Sequence, residues 1–234
     1  MCTLCVGRGL PRRLFLGAGA ATLAGAPLIG SAHAQPARAA ETPDAALKLL
    51  VEGNERYVSG KINERDFSAT RAARAQGQKP FAAILGCADS RIAPELAFDR
   101  MPGELFVVRV AGNFVTPDGL GSLEYGAAVL GTKVIMVLGH SSCGAVLATI
   151  EALQKGNTLP GHIADLVRAM KPGVEPALKE AGQGLEQRAI IANVRYNVQR
   201  LQQEKPIIAD MVSSGKLKVV GGVYDIATGK IAMV

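Results

Sequence analysis

The sequence predicts an α/β fold, with a mainly parallel β-sheet (about four parallel strands plus an antiparallel C-terminal edge strand) flanked by helices. Four short apolar runs, 81–86, 105–110, 134–138 and 217–223, are continuous rather than alternating, which is typical of strands buried on both faces. Stretches with helical spacing of apolar residues separate these runs. Together the two observations predict a sheet that helices cover on both sides.

The predicted helices follow in chain order. The first starts at Pro43 and has Thr42 as its N-cap, because proline fits the first helical position and threonine is a good capping residue. Further helices are expected over 120–130, 143–154, 185–204 and 206–213.

Two intervals are predicted to be less regular. Residues 156–184 are expected to be rich in loops, with short helices at most. The tail 222–234 has two apolar stretches on either side of a turn sequence, 227–229, and therefore predicts a terminal hairpin.

Residues 1–34 have the pattern of a twin-arginine export signal. Arg12 and Arg13 precede apolar residues, 17–30 is apolar and rich in small residues, and 32–34 is a small-x-small cleavage sequence. An uncleaved membrane anchor is the alternative, but a run made mostly of alanine and glycine is too short and weak for a good span. We therefore expect cleavage, no stable membrane span afterwards, and a periplasmic or otherwise exported protein that leaves the cytoplasm folded.

Cleavage would leave one domain, 35–234, whose composition excludes some functions. The chain has 234 residues, 48% hydrophobic and 20% charged, which is typical of a globular protein. The net charge falls from +6 to +3 without residues 1–34, because three of the 26 basic residues and none of the 20 acidic ones lie there. With so small an excess, and no basic stripe interleaved with aromatics, we expect no nucleic-acid partner.

Two cysteines and a histidine predict a metal site. Cys87 ends the first apolar run, His140 follows the third, and Cys143 lies three residues further on, where a helix is expected to begin. Ligands bind beyond the carboxyl ends of parallel strands, so these side chains should meet. Each alone would usually be a packed core residue, but two thiolates and an imidazole supply three of the four donors of tetrahedral zinc. The missing fourth ligand indicates a catalytic Zn²⁺, one per chain, with a position for water.

Asp89 and Arg91 lie beside Cys87 and predict a second part of the site. Two residues apart, they can point to the same side of an extended turn, and the guanidinium keeps the carboxylate ionised. An ionised Asp89 can accept the proton of a zinc-bound hydroxide and orient its oxygen. The alternative is an ordinary surface ion pair, which would contribute little.

At these residues the sequence resembles the β-class carbonic anhydrases. The resemblance rests on the CxDxR string at Cys87, the HxxC string at His140 and their separation, and it extends over most of the chain after Pro43. Further matches are the segments around Gln78, Phe106 and Tyr125, which resemble the plant-like branch. The branch with a regulatory bicarbonate site uses a tryptophan, and this chain has none, which argues against such regulation.

The resemblance implies a zinc lyase that hydrates carbon dioxide reversibly to bicarbonate and a proton, through attack of zinc-bound hydroxide. Phe106 and Tyr125 would line an apolar substrate pocket, and Gln78 would donate a hydrogen bond to the developing bicarbonate. Asp89 would act in catalysis with Arg91, and in a closed form it would become the fourth zinc ligand.

The family resemblance also implies a homodimer or tetramer. In such an assembly the 44–59 helix embraces a partner, and both chains contribute residues to each pocket. His162 is the candidate proton relay, although an incidental loop histidine is the simpler interpretation.

Two rival functions remain open at this stage. The same scaffold could hydrolyse other linear heterocumulenes such as carbon disulfide. Alternatively, the chain could be a zinc-binding or redox-active periplasmic protein in which Cys87 and Cys143 form a switch, but that function would leave Asp89, Arg91 and Gln78 without roles.

Overall fold

The computed structural model describes residues 40–234, so the predicted export signal at 1–34 lies outside the described residues. Five strands form one sheet in the order β2-β1-β3-β4-β5. The first four are parallel to their neighbours and the last pair is antiparallel, which confirms the predicted fold class. The strands are β1 Ala82–Gly86, β2 Leu105–Arg109, β3 Val134–His140, β4 Lys218–Tyr224 and β5 Ile231–Met233.

Eight helices occur among residues 40–234. They are α1 Pro43–Val58, α2 Arg71–Ala75, α3 Pro94–Ala97, α4 Pro117–Ala128, α5 Gly144–Lys155, α6 Ile163–Lys179, α7 Leu185–Gln203 and α8 Ile207–Ser213. No helix in this part of the chain is both long and apolar enough to cross a bilayer.

Capping threonines fix the starts of two helices. The Thr42 hydroxyl accepts a hydrogen bond from the Ala45 amide at 3.2 Å, as expected for the N-cap of α1. Thr116 does the same for α4, accepting from the Gly119 amide at 3.0 Å. This cap, with Pro117 at the first helical position, starts α4 three residues before the predicted Leu120.

The prediction of a loop-rich 156–184 interval was wrong, because α6 occupies Ile163–Lys179. Pro172 and Pro176 argue against a helix, since each lacks a backbone N–H. Both prolines lie on the exposed face, while Met170, Val174 and Ala177 are buried. Tertiary packing of this apolar face stabilises the helix in spite of the prolines.

The core has two layers, one on each side of the sheet. Alternate residues of the strands enter different layers: Ala83 and Leu85 of β1 pack with α4 to α8, whereas Ala82 and Ile84 pack with α1 and α3. Both layers are apolar, which explains why the strand sequences do not alternate.

Sheet register places the carboxyl ends of β1 and β3 side by side. Gly86 pairs with Leu138 between these neighbouring strands, so Cys87 emerges next to the end of β3. The chain ends in the predicted hairpin, in which Gly222 of β4 pairs with Met233 of β5.

Candidate metal centre

Cys87, His140 and Cys143 converge at the carboxyl end of the sheet. Cys87 follows β1, His140 is the last residue of β3, and Cys143 is the N-cap of α5. Between the last two, Ser142 has φ 54°, a left-handed turn that brings the chain back toward the strand end. One ligand atom from each of the three residues lies within 4.8 Å of the others.

His140 carries a buried nitrogen without a partner. Its Nδ1 lies 2.9 Å from the Ser141 carbonyl oxygen, which can only accept, so Nδ1 holds the proton and Nε2 keeps a lone pair. Among the described residues, Nε2 has no hydrogen-bond partner, although the side chain is 0% exposed. A buried acceptor directed at two sulfur atoms is the arrangement expected of a metal-ligating imidazole.

The two cysteine sulfurs are electrostatically coupled. Both are free and buried, at 5% exposure for Cys87 and 1% for Cys143. The interaction between the two neighbouring sulfurs lowers the pKa of Cys87 and raises the pKa of Cys143. Burial on its own lowers the pKa of His140, but the neighbouring thiolate of Cys87 raises it overall. One imidazole and two neighbouring buried sulfurs are a donor set that fits a zinc ion well.

Asp89 and Arg91 form a two-point ion pair at the rim of this centre. Arg91 Nε donates to Asp89 Oδ1 at 2.9 Å, and Arg91 Nη2 donates to Oδ2 at 2.7 Å. These hydrogen bonds hold the pKa of Asp89 well below its usual range. Asp89 Oδ2 is 3.9 Å from His140 Nε2, so an ionised carboxylate lies beside the cluster while still engaged by Arg91.

Arg109 is a structural contributor that sequence reasoning missed. From the end of β2 it donates to three backbone carbonyls of the loop that carries Cys87 and Asp89: to Cys87 O at 2.8 Å, Asp89 O at 2.7 Å and Ile92 O at 3.0 Å. An arginine at the end of the neighbouring strand was visible in the sequence, but its carbonyl partners depend on the loop conformation.

Phe106 and Tyr125 lie together, at the side of the sheet rather than at the metal cluster. Their ring centroids are 6.4 Å apart at an angle of 43°. Phe106 pairs with Ala83, three positions below the end of β2, which is about 10 Å along the strand. Tyr125 on α4 is 49% exposed, whereas Phe106 is partly buried against the core, so the tyrosine is the outward member of the pair.

Gln78 is separated from the metal cluster within one chain. It is exposed and precedes β1, at the amino end of the sheet, where it lines a groove with Pro80 and Val129. The five-residue β1 separates it from Cys87, a length of about 17 Å. His162, the candidate proton relay, makes no hydrogen bond to a residue of the metal cluster. Its ring is exposed, and its Nδ1 lies 2.9 Å from Asp165 Oδ2.

Comparison with known proteins gives consistent matches. A family model described as carbonic anhydrase matches residues 82–231, which include all three residues of the cluster. The chain is 40% identical to carbonic anhydrase 2 of Mycobacterium tuberculosis over 195 residues, covering 82% of this chain and 92% of that protein.

Solved structures give the same match at the level of the fold. A Coccomyxa β-carbonic anhydrase in complex with acetazolamide is 29% identical, with a TM-score of 0.63 over 80% of this chain and 86% of that one. A structure from a study of two tetrameric β-carbonic anhydrases of Sordaria macrospora is 26% identical, with a TM-score of 0.63 over 71% and 87% of the two chains.

Proposed function

This chain belongs to the carbonic anhydrase family, in its β class, and from that premise we propose that it binds one zinc ion through Cys87, His140 and Cys143 and hydrates carbon dioxide reversibly to bicarbonate and a proton. The observation that carries the proposal is the convergence of three buried ligand atoms within 4.8 Å, one of them the unpartnered Nε2 of His140. When bound, zinc supplies the Lewis acidity that makes water a nucleophile near neutral pH.

Asp89 orients the attacking water in this proposal. Its Oδ2 accepts one hydrogen bond from Arg91 and has a second lone pair, beside the cluster, for the proton of that water. Arg91 keeps the carboxylate ionised and also donates to the Ser142 carbonyl at 3.2 Å, so it ties Asp89 to the loop between His140 and Cys143. The ion pair is therefore more than a surface contact. In the closed form predicted above, Asp89 would have to leave Arg91 to become a fourth ligand.

The substrate pocket, we propose, is completed by a second copy of the chain. Gln78, Phe106 and Tyr125 are the residues that resemble the plant-like branch, and a single chain leaves Gln78 at the opposite end of the sheet from the cluster. A homodimer or tetramer could bring Gln78 of one chain to the metal centre of another, where its amide would donate to the developing bicarbonate.

The test is a carbon dioxide hydration assay on purified protein whose zinc content has been measured. We expect one zinc per chain and hydration activity that a chelator removes and added zinc restores. Stoichiometric zinc with hydrolysis of carbon disulfide and no hydration would redirect the substrate assignment. Thiol titration that finds a Cys87–Cys143 disulfide and no metal would contradict the proposal and favour the redox function.

Export through the twin-arginine pathway remains a separate proposal, supported by the sequence of residues 1–34. Changing Arg12 and Arg13 to lysine should keep the protein in the cytoplasm in a cell-fractionation experiment. Unchanged export of that variant would contradict the assignment.

A further inference from the structure

Helix α7 presents three polar side chains on one face. Asn193, Asn197 and Arg200 are spaced at i, i+4 and i+7, so they form a line along the helix, which we call the α7 polar stripe. Asn193 and Asn197 are each only 1% exposed. Amides buried this completely require hydrogen-bond partners, and these partners identify what the stripe does.

All three side chains bind the same short segment, 112–115. Asn193 Nδ2 donates to Gly112 O at 2.9 Å. Asn197 Oδ1 accepts from the Val115 amide at 2.9 Å, and Arg200 Nη1 donates to the Val115 carbonyl at 3.0 Å. Asn197 Nδ2 also donates to Asn193 Oδ1 at 3.2 Å, which links the two amides to each other.

The segment needs such support because its backbone is unusual. Gly112 has φ +87° and Asn113 has φ +43°, two consecutive residues in the left-handed region. A Cβ on Gly112 would lie 2.2 Å from Met170 Sδ, so the chain also approaches α6 closely here. The hydrogen bonds from α7 thus hold a segment whose backbone is in the left-handed region at two consecutive positions.

This conformation directs a backbone donor at the metal cluster. The Gly112 amide donates to Cys87 Sγ, with N and S 3.3 Å apart. An N–H group on a metal-ligating thiolate withdraws electron density from sulfur and fixes its direction, so it affects both metal affinity and metal acidity.

We propose that the α7 polar stripe is a positioning device that holds Gly112 so that its amide hydrogen bonds to the metal-ligating sulfur of Cys87. The inference rests on the proposed function, since it requires Cys87 to be a ligand. Asn193 is the central member because it binds Gly112 directly, and it acts through Gly112 without contact with the metal or substrate.

The test replaces zinc by Co²⁺ and records the sulfur-to-cobalt charge-transfer absorption. In Asn193→Ala, Gly112 loses its anchor and the hydrogen bond to Cys87 weakens, which raises the energy of the sulfur lone pairs. We expect the band to move to longer wavelength, and zinc affinity measured by chelator competition to fall about 10- to 100-fold.

Asn54 provides a matched control. It is also a buried helical asparagine with three backbone partners: it donates to Ala97 O at 3.0 Å and Gly229 O at 2.8 Å, and accepts from the Ile231 amide at 2.9 Å. None of these bonds touches 112–115. Asn54→Ala should lower the melting temperature as a buried amide deletion does, yet leave the cobalt band in place.

Arg200→Ala is the second variant, for the case that Asn193→Ala does not fold, because Arg200 is partly exposed at 37%. It should give a smaller shift in the same direction. An unmoved band in the folded stripe variants, or an equal shift in Asn54→Ala, would overturn the inference while the proposed function stands. A wild-type protein that takes up no cobalt would overturn the proposed function and this inference with it.

Discussion

The two ends of the sheet differ in how complete they are within one chain. At the carboxyl end, three buried ligand atoms, an engaged ion pair and a backbone donor at sulfur form a self-contained centre. At the amino end, Gln78 is exposed beside Val129, which is 64% exposed. In our proposal one chain therefore supplies the whole ligand set, whereas the substrate contacts expected of Gln78 need a second chain. Changes at the two ends should have separable effects.

The largest effect should come from Cys143→Ser. A serine hydroxyl is a poor replacement for a buried thiolate ligand, so we expect the loss of zinc and of nearly all hydration activity. Metal analysis of the purified variant checks this, with wild type prepared in parallel. One tightly bound zinc per chain in the variant would remove Cys143 from the ligand set.

Asp89→Asn should separate catalysis from metal binding at the same end of the sheet. The amide keeps the size of the carboxylate but loses the charge and the proton acceptor, so we expect activity to fall by about 100-fold or more. Zinc content should stay at one per chain, because the three ligands are untouched. A fully active Asp89→Asn protein would refute the orienting role.

At the amino end, Gln78→Ala should lower activity about 10- to 100-fold through loss of one donor to the developing charge, with zinc fully retained. A hydration assay with metal analysis of the variant measures both quantities.

Hybrids of two variant chains test whether Gln78 of one chain serves the metal centre of another. A hybrid of Gln78→Ala and Cys143→Ser chains would contain one intact metal centre facing one intact Gln78, and its activity should rise well above that of either parent. Failure of the hybrids to regain activity would place Gln78 in its own chain's site or outside any site.

The smallest expected effect comes from Thr116→Ala, which should change the stability of the fold without changing metal binding. Thr116→Ala removes the side-chain cap of α4, which carries Tyr125, and should lower the free energy of unfolding by about 1 kcal/mol. Zinc binding should be unchanged, because α4 contributes no ligand. Denaturant unfolding of the zinc-loaded protein measures the change, and a loss of zinc in this variant would contradict the separation of the two regions.

The sequence predicted features that depend on local pattern. The strands and the residues that follow them are visible in apolar runs, so the meeting of Cys87, His140 and Cys143 could be expected from topology alone. Helix α6 could not be expected from the sequence, because its two prolines argue against a helix. Packing of its buried face against neighbouring helices stabilises it.

Hydrogen bonds between residues far apart in the sequence could not be predicted from local sequence patterns either. Arg109 and Asn193 act on backbone carbonyls, which carry no residue-specific signal in the sequence. Asn193 and Asn197 do share a helical face, but that spacing alone does not distinguish a buried polar stripe from a solvated one. Their partners became evident only once segment 112–115 had a conformation.

The most direct test of the central claim is X-ray absorption at the zinc edge of the purified wild-type protein. We predict two sulfur ligands at about 2.3 Å and two nitrogen or oxygen ligands at about 2.0–2.1 Å, in one tetrahedral site per chain. A spectrum without sulfur ligands, or a protein that binds no zinc while Cys87 and Cys143 form a disulfide, would contradict it.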